Sequence, residues 1–303
     1  MRLTPLTTKD KKIFDKFFGL SRRQLSSYAF ANLYIWKKLY NIKWAVIENN
    51  LCVFFMDKTG CFMNLSPLGS RLSHLAVSSA FKIMDSFNSN RRISRIENVE
   101  EDDLGAYERM GYESVFKSCD YLCKRSDLAF LKGDKFKSKR ASYNYFIKHN
   151  SRAEYLSFMP KHQEECLELF DLWQEQRKSR SSDKIYQAMI DDSRSCLEVL
   201  LKNYLKLGLL GRVVKARGKI KAFSFGCRLN KNTFCVIYEI SDLSVKGIAQ
   251  FIFREFSSEL KDCQYINTMD DSGLENLKKV KLSYHPLRLI PAYIIQRKNG
   301  QEH

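Results

Sequence analysis

Three carboxylates and several basic runs stand where chemistry can be built. Glu239 falls near the end of the apolar run FCVIYEI (234–240). The strand ends of an open α/β sheet are where such folds gather their sites, so this carboxylate can act as a base or position a nucleophile; equally, it can pair with a nearby lysine. Asp270 and Asp271 follow the short extended segment YINT (265–268), which contains Asn267. The two aspartates can hold an ammonium group or accept a proton; they can also simply cap the helix that starts near Gly273. Between the 234–240 strand and the next helix lies Asp242-Leu243-Ser244-Val245-Lys246-Gly247-Ile248-Ala249. A small-residue turn there points backbone N–H groups at an anion; Gly247 and Ala249 let the backbone approach, and Lys246 adds charge. A glycine needed for geometry alone is the plainer alternative. Lys278, Lys279 and Lys281 can contact phosphates as point charges. Lys132, Lys135, Lys137, Lys139 and Arg140 crowd the stretch 131–149. Lys135, Lys139 and Arg140 can line a polyanion path, or the run is only a solvated linker. The 5 histidines form no catalytic or metal motif. Cys119 and Cys123 have no second pair at zinc spacing, so no metal is expected.

The elements that must position these residues can be read from periodicity. Thr7 or Thr8 can cap a first helix whose apolar face is Ile13, Phe14, Phe17 and Phe18. Residues 24–40 read as a helix rich in aromatics, with Tyr28, Phe30, Tyr34 and Trp36 taken as core rather than as a base-stacking platform. WAVIE (44–48) and LCVFFM (51–56) read as a hairpin turning at Asn49-Asn50, and CFMNL (61–65) as the next strand. A helix over 73–87, a strand near 93–99, a short helix ending at Met110-Gly111 and a strand region to about 123 complete the first half. The second half repeats the order: helices over 161–178 and 183–206, strands GRVVKAR and IKAFSFGCRL around Gly218, then 234–240, a helix over 247–260, strand 265–268, a short helix over 273–280 and a last extended region. Glu101-Asp102-Asp103-Leu104-Gly105 and Met269-Asp270-Asp271-Ser272-Gly273 stand before a helix in the two halves, an internal echo.

At 303 residues the chain has room for two domains. We place them at 1–130 and 151–303, joined by a basic linker and helix at 131–150. The fold class is α/β with mixed sheets. Hydrophobic residues at 44% and aromatics at 13% supply real cores and argue against disorder. Mean hydropathy is -0.38, and no stretch approaches the roughly 20 apolar residues that span a bilayer. No signal peptide is expected at the N-terminus. The 9 scattered cysteines read as buried and reduced, which points to a cytoplasmic protein. A net charge of +17 draws polyanions: RNA, an anionic membrane surface or a phosphorylated cofactor.

The 242–249 turn resembles the pyrophosphate-binding turn of GNAT acyltransferases, with Ser244 where that pattern has Gln or Arg. Residues 106–113 resemble the GNAT segment in which a Tyr-bearing helix leads through Gly-Phe into a strand, here Gly111-Tyr112. Taken in order, Phe30–Trp36, Pro67-Leu68-Gly69, Asp120-Tyr121, Gly133–Arg140, Tyr265–Leu274 and Lys281–Pro286 resemble the family named for the C-terminal domain of phosphatidylglycerol lysyltransferase. That resemblance covers nearly the whole chain. It implies two GNAT-like domains in tandem and aminoacyl transfer from charged tRNA to a lipid, a peptidoglycan precursor or another amine or hydroxyl. The implied partners are tRNA and an anionic lipid or precursor at the inner membrane face, with no membrane-spanning segment and no required cofactor. An acyl-coenzyme A-dependent N-acyltransferase and a non-catalytic module binding RNA or an anionic surface stand as alternatives.

Overall fold

A computed structural model describes residues 2–20, 22–179 and 183–298. The first unit starts with strand β1 (Thr4–Pro5), helices α1 (Lys11–Phe18) and α2 (Phe30–Tyr34), and strands β2 (Asn41–Ile47), β3 (Asn50–Asp57) and β4 (Gly60–Met63). Helix α3 (His74–Phe87), strand β5 (Ile96–Val99), helix α4 (Glu101–Arg109) and strand β6 (Tyr112–Lys124) come next. The second unit adds α5 (Arg125–Phe130), α6 (Lys137–His149), β7 (Glu154–Ser157), α7 (Gln163–Lys178), α8 (Lys184–Lys202) and α9 (Tyr204–Leu207). It goes on with β8 (Leu210–Ala216), β9 (Lys219–Arg228), β10 (Thr233–Ser241), α10 (Ile248–Glu259), β11 (Tyr265–Asn267) and α11 (Glu275–Leu282). The last strand, β12 (Arg288–Arg297), returns to the first unit.

Unit 1 comprises the first 120 residues, residues 270–275 and those from 289 on; unit 2 comprises 121–269 and 276–288. This division differs from the expected boundaries near 130 and 150. β12 is the reason: it lies next to β5, with Tyr293 opposite Val99 and Ile295 opposite Ile96. Strand order in unit 1 is β1-β2-β3-β4-β5-β12-β6. β4 and β5 run parallel, while β1 to β4 pair antiparallel in sequence. Seven residues of β3, Asn50–Met56, are buried, as a central strand covered on both faces requires. Against one face packs α3 through Ala76, Val77, Ala80, Phe81 and Met84, meeting Ala45, Ile47, Phe54, Met63 and Ile295 in a single apolar cluster.

Three local expectations are corrected. The β2–β3 turn is centred on Glu48-Asn49, both at positive φ, and Asn50 already belongs to β3, where its Nδ2 donates to the Glu48 carbonyl at 2.7 Å. Residues 24–40 do not form one helix. The N–H groups of Gln24 and Leu25 donate to the Glu100 carboxylate at 2.6 and 2.8 Å, and that of Ser26 to Asp120 at 2.6 Å, so tertiary partners set the backbone path and only Phe30–Tyr34 is α-helical. Tyr28, Phe30 and Tyr34 are indeed core. Glu101, Asp102 and Asp103 do not precede a helix but make the first turn of α4, where acidic groups suit the helix dipole.

Unit 2 orders its strands β6-β11-β10-β9-β8-β7. β10 and β11 are parallel; the other pairs are antiparallel. Helix α10 buries Ile248, Ile252, Phe253 and Phe256 against this sheet. Among the described residues no helix is long and apolar enough to cross a membrane.

Candidate functional site

The site in unit 2 begins with an irregularity in β10. Its register with β9 shifts between Val236 and Tyr238, so Ile237 is an extra residue that bends the strand and re-aims the residues beyond it. The two backbones press together there: a Cβ on Gly226 would come within 2.3 Å of the Cys235 carbonyl oxygen, so only glycine fits. The pairing of β10 with β11 ends at Cys235 opposite Asn267. Glu239 lies four residues beyond that last pair, on the strand stretch re-aimed by the bulge.

Glu239 Oε2 is fully buried and has no hydrogen-bond partner among the described residues. Burial pushes the carboxyl pKa up to about 8, against the opposing pull of Lys281 and, more weakly, Lys139. Ser224 stands directly opposite Glu239 in the β9–β10 ladder, and its buried Oγ likewise has no partner among the described residues. Residues opposite one another in a ladder share a face of the sheet. Two adjacent buried oxygens are thus left with unused bonding capacity, a costly arrangement unless something else binds there. Sequence reading missed Ser224; a polar residue inside the apolar run IKAFSFGCRL is the signal that marks it.

Two lysines hold the surroundings. Lys139 comes from α6, with Nζ 4.1 Å from the centre of the Tyr284 ring. Burial lowers its pKa and Glu239 opposes that shift. Lys281 comes from α11, and its Nζ donates to the carbonyls of Thr268 and, at 3.1 Å, Met269. Those carbonyls are presented by a turn that Asn267 shapes, its buried Oδ1 accepting the Met269 N–H at 2.7 Å. Tyr284, hydrogen-bonded to Gln250 and packed edge-on to Phe253, has its pKa raised by burial and by Glu239. The result is an orphaned carboxylate among two ammonium groups and a phenol, able to bind a hydrogen-bond donor or take its proton.

Other sequence candidates are placed differently. Asp270 Oδ1 accepts from Ser272 N at 3.3 Å and Asp271 Oδ1 from Gly273 N at 3.0 Å, within a turn that belongs to unit 1. Lys135 pairs with Asp127 at 3.2 Å, and Arg140 Nη1 donates to the carbonyls of Leu131 and, at 2.6 Å, Gly133. These two basic groups tie down the α5–α6 connection. Lys278 and Lys279 are exposed on α11. At the 242–249 turn, burial works to raise the Asp242 pKa, yet bonds from Lys221 Nζ and from Ser244 N and Oγ hold it down to about 2. Gly247 has φ +84°, and a Cβ on it would lie 2.1 Å from the Ser142 carbonyl of α6. The close approach that glycine permits there is therefore taken by α6. Lys246 lies over the Tyr145 ring of the same helix at 4.5 Å, while Ala249 sits in the first turn of α10.

The fold is shared with known proteins. The structure resembles a conserved protein of unknown function from Bacteroides thetaiotaomicron, at TM-score 0.88 and 28% identity over 98% of this chain and 100% of the other. It resembles L-PGS from Bacillus licheniformis at TM-score 0.66 and 16% identity, over 96% of this chain and 92% of that one. A tandem GNAT protein from the clavulanic acid biosynthesis pathway is similar at TM-score 0.51 and 7% identity, over 97% of each chain. The latter two likenesses concern the fold alone, which is tandem GNAT-like. No curated protein sequence matches the chain. The profile of the family described as phosphatidylglycerol lysyltransferase, C-terminal, matches residues 18–296, and the chain belongs to that acyltransferase-like family.

Proposed function

We propose that this chain transfers an aminoacyl group from charged tRNA to an amine or hydroxyl acceptor, with a lipid or a peptidoglycan precursor as the acceptor class. The observation that carries the reading is Glu239, a half-buried carboxylate with one buried, unpartnered oxygen and a pKa near 8, in a chain of this family. Glu239 takes the proton of the attacking acceptor group. A new ester or amide bond forms at the aminoacyl carbonyl as its ester bond to the tRNA ribose breaks. Lys139, whose ammonium is made more acidic by burial, supplies a proton to the departing ribose hydroxyl and recovers one from Glu239. Lys281 provides fixed positive charge where the carbonyl oxygen becomes negative. Lys278 and Lys279 contact tRNA phosphates. Asp270 and Asp271 remain candidates for the aminoacyl ammonium. Charged tRNA as donor places the reaction in the cytoplasm. An acyl-coenzyme A donor fits less well, because α6 occupies the approach to the α10 turn.

The test supplies tRNA charged with labelled amino acids, together with a total lipid extract and, separately, peptidoglycan precursors. Label should move to one of these acceptors with the unaltered chain and stay on the tRNA with Glu239→Gln. Transfer by the Glu239→Gln chain at the unaltered rate, or label moving only from acyl-coenzyme A, sinks the reading.

A further inference from the structure

Unit 1 carries a basic depression of about 460 Å³ that the reaction above does not use. Arg2 and Leu3 reach it from beside β1, Lys43 from β2, and Lys82, Ile83, Ser86 and Phe87 from the last turns of α3. The placement can be derived from pattern. Lys43 shares a face of β2 with Ala45 and Ile47, which pack beneath α3, so its stem runs along that face to the helix edge. Leu3 and Ile83 pack against the same apolar cluster and form a floor. Among the described residues no carboxylate lines the depression. At its rim Phe87 is 53% exposed, an aromatic ring at the end of a helix whose other apolar residues are mostly buried.

We infer that this face docks the protein on an anionic bilayer. Three features select a membrane. Three cations with no lining acid complement the negative surface of an anionic leaflet, where each basic side chain adds severalfold to affinity. An apolar floor gives acyl-chain methylenes a place that water fills poorly. An exposed phenylalanine beside cations is the pairing that interfacial proteins insert at the headgroup boundary. A nucleic-acid backbone would match the cations but leave the exposed Phe87 ring without a purpose. The binding is reversible and electrostatic, with Phe87 adding a component that salt does not screen.

The experiment is co-sedimentation of the full chain with phosphatidylcholine vesicles, with and without phosphatidylserine, over a salt series. Phosphatidylserine is chosen because it tests docking by charge whether or not the chain transfers anything to a lipid. The unaltered chain should bind the anionic vesicles and not the neutral ones, less so as salt rises. Arg2→Glu with Lys82→Glu, both at exposed positions that spare the core, should weaken binding more than tenfold. Phe87→Ser should weaken it severalfold at every salt concentration while leaving RNA binding unchanged. Equal binding to neutral vesicles, no binding to either, or charge-reversed protein that binds like the unaltered chain would overturn the inference. So would a double reversal that lowers RNA binding and leaves vesicle binding intact, which would assign the face to nucleic acid.

Discussion

In the proposed transfer, Glu239 concentrates the chemistry of unit 2 in one titrating group. In the unfolded chain a glutamate loses its proton near 4.5; in the folded chain Glu239 keeps it to about 8. Between those values the folded state binds the extra proton, so this group makes the protein less stable as pH rises through the window. Denaturant titrations at pH 5 and pH 9 should therefore show a loss of stability at the higher pH that shrinks in Glu239→Gln. The same carboxyl works as a base only when ionised, so transfer should accelerate as pH approaches 8, and Glu239→Gln should lose about 10²- to 10⁴-fold in rate. Lys139→Met removes a positive charge that favours the ionised carboxylate. The rising limb of its pH–rate profile should shift to higher pH, beyond any fall in the maximal rate. A profile that keeps its position would separate Lys139 from Glu239. Glu239 was legible in the sequence because an acid interrupts an apolar run. What distinguishes Lys139 from its basic neighbours is its partners, the Tyr284 ring and Glu239, which no local spacing encodes; Lys135 and Arg140 look the same in sequence and serve the α5–α6 connection instead.

At the scale of elements, α6 is the piece that brings a lysine to the candidate site and packs against the turn before α10. It delivers Lys139, and its Ser142 carbonyl fills the space in front of Gly247. Gly247→Ala adds a Cβ where φ is +84° and the next atom would be 2.1 Å away. A loss of about 2 kcal/mol or more is expected by thermal unfolding, from the left-handed backbone alone plus the displaced helix. The longer strands were legible from their alternation or from unbroken apolar runs, and α7, α8, α10 and α11 from their pattern; β1 and β7 were not, being short strands with no buried residue to mark them. Residues 24–40 were not, because aromatic side chains buried on all sides carry no period and the backbone there is held by Glu100 and Asp120, whose distance in sequence hides the partnership. The bulge at Ile237 was equally hidden: an inserted residue in β10 shows only when the partner strand is counted beside it.

Across the whole molecule, +17 net charge makes any RNA complex sensitive to salt. If Lys278 and Lys279 each meet a phosphate, replacing both by alanine should reduce the slope of log affinity against log salt by about 2 in a filter-binding titration. The place of β12 was the part of the architecture least readable from sequence, since a final extended segment does not announce which strand it will join. It lies next to β5, more than 180 positions earlier (288 − 99 = 189), and brings fully buried Ile295 into the unit 1 core. Ile295→Ala should cost about 2–5 kcal/mol in denaturant unfolding, as large-to-small changes in a packed core do. The same arrangement has a consequence for synthesis. Domains generally fold as they leave the ribosome, earlier ones first, at about 5–20 residues per second. Here the unit encoded first cannot close its sheet until residue 297 has been translated, so its early strands wait with an open edge through most of elongation, and a nascent chain stalled before β12 is a natural client for a chaperone.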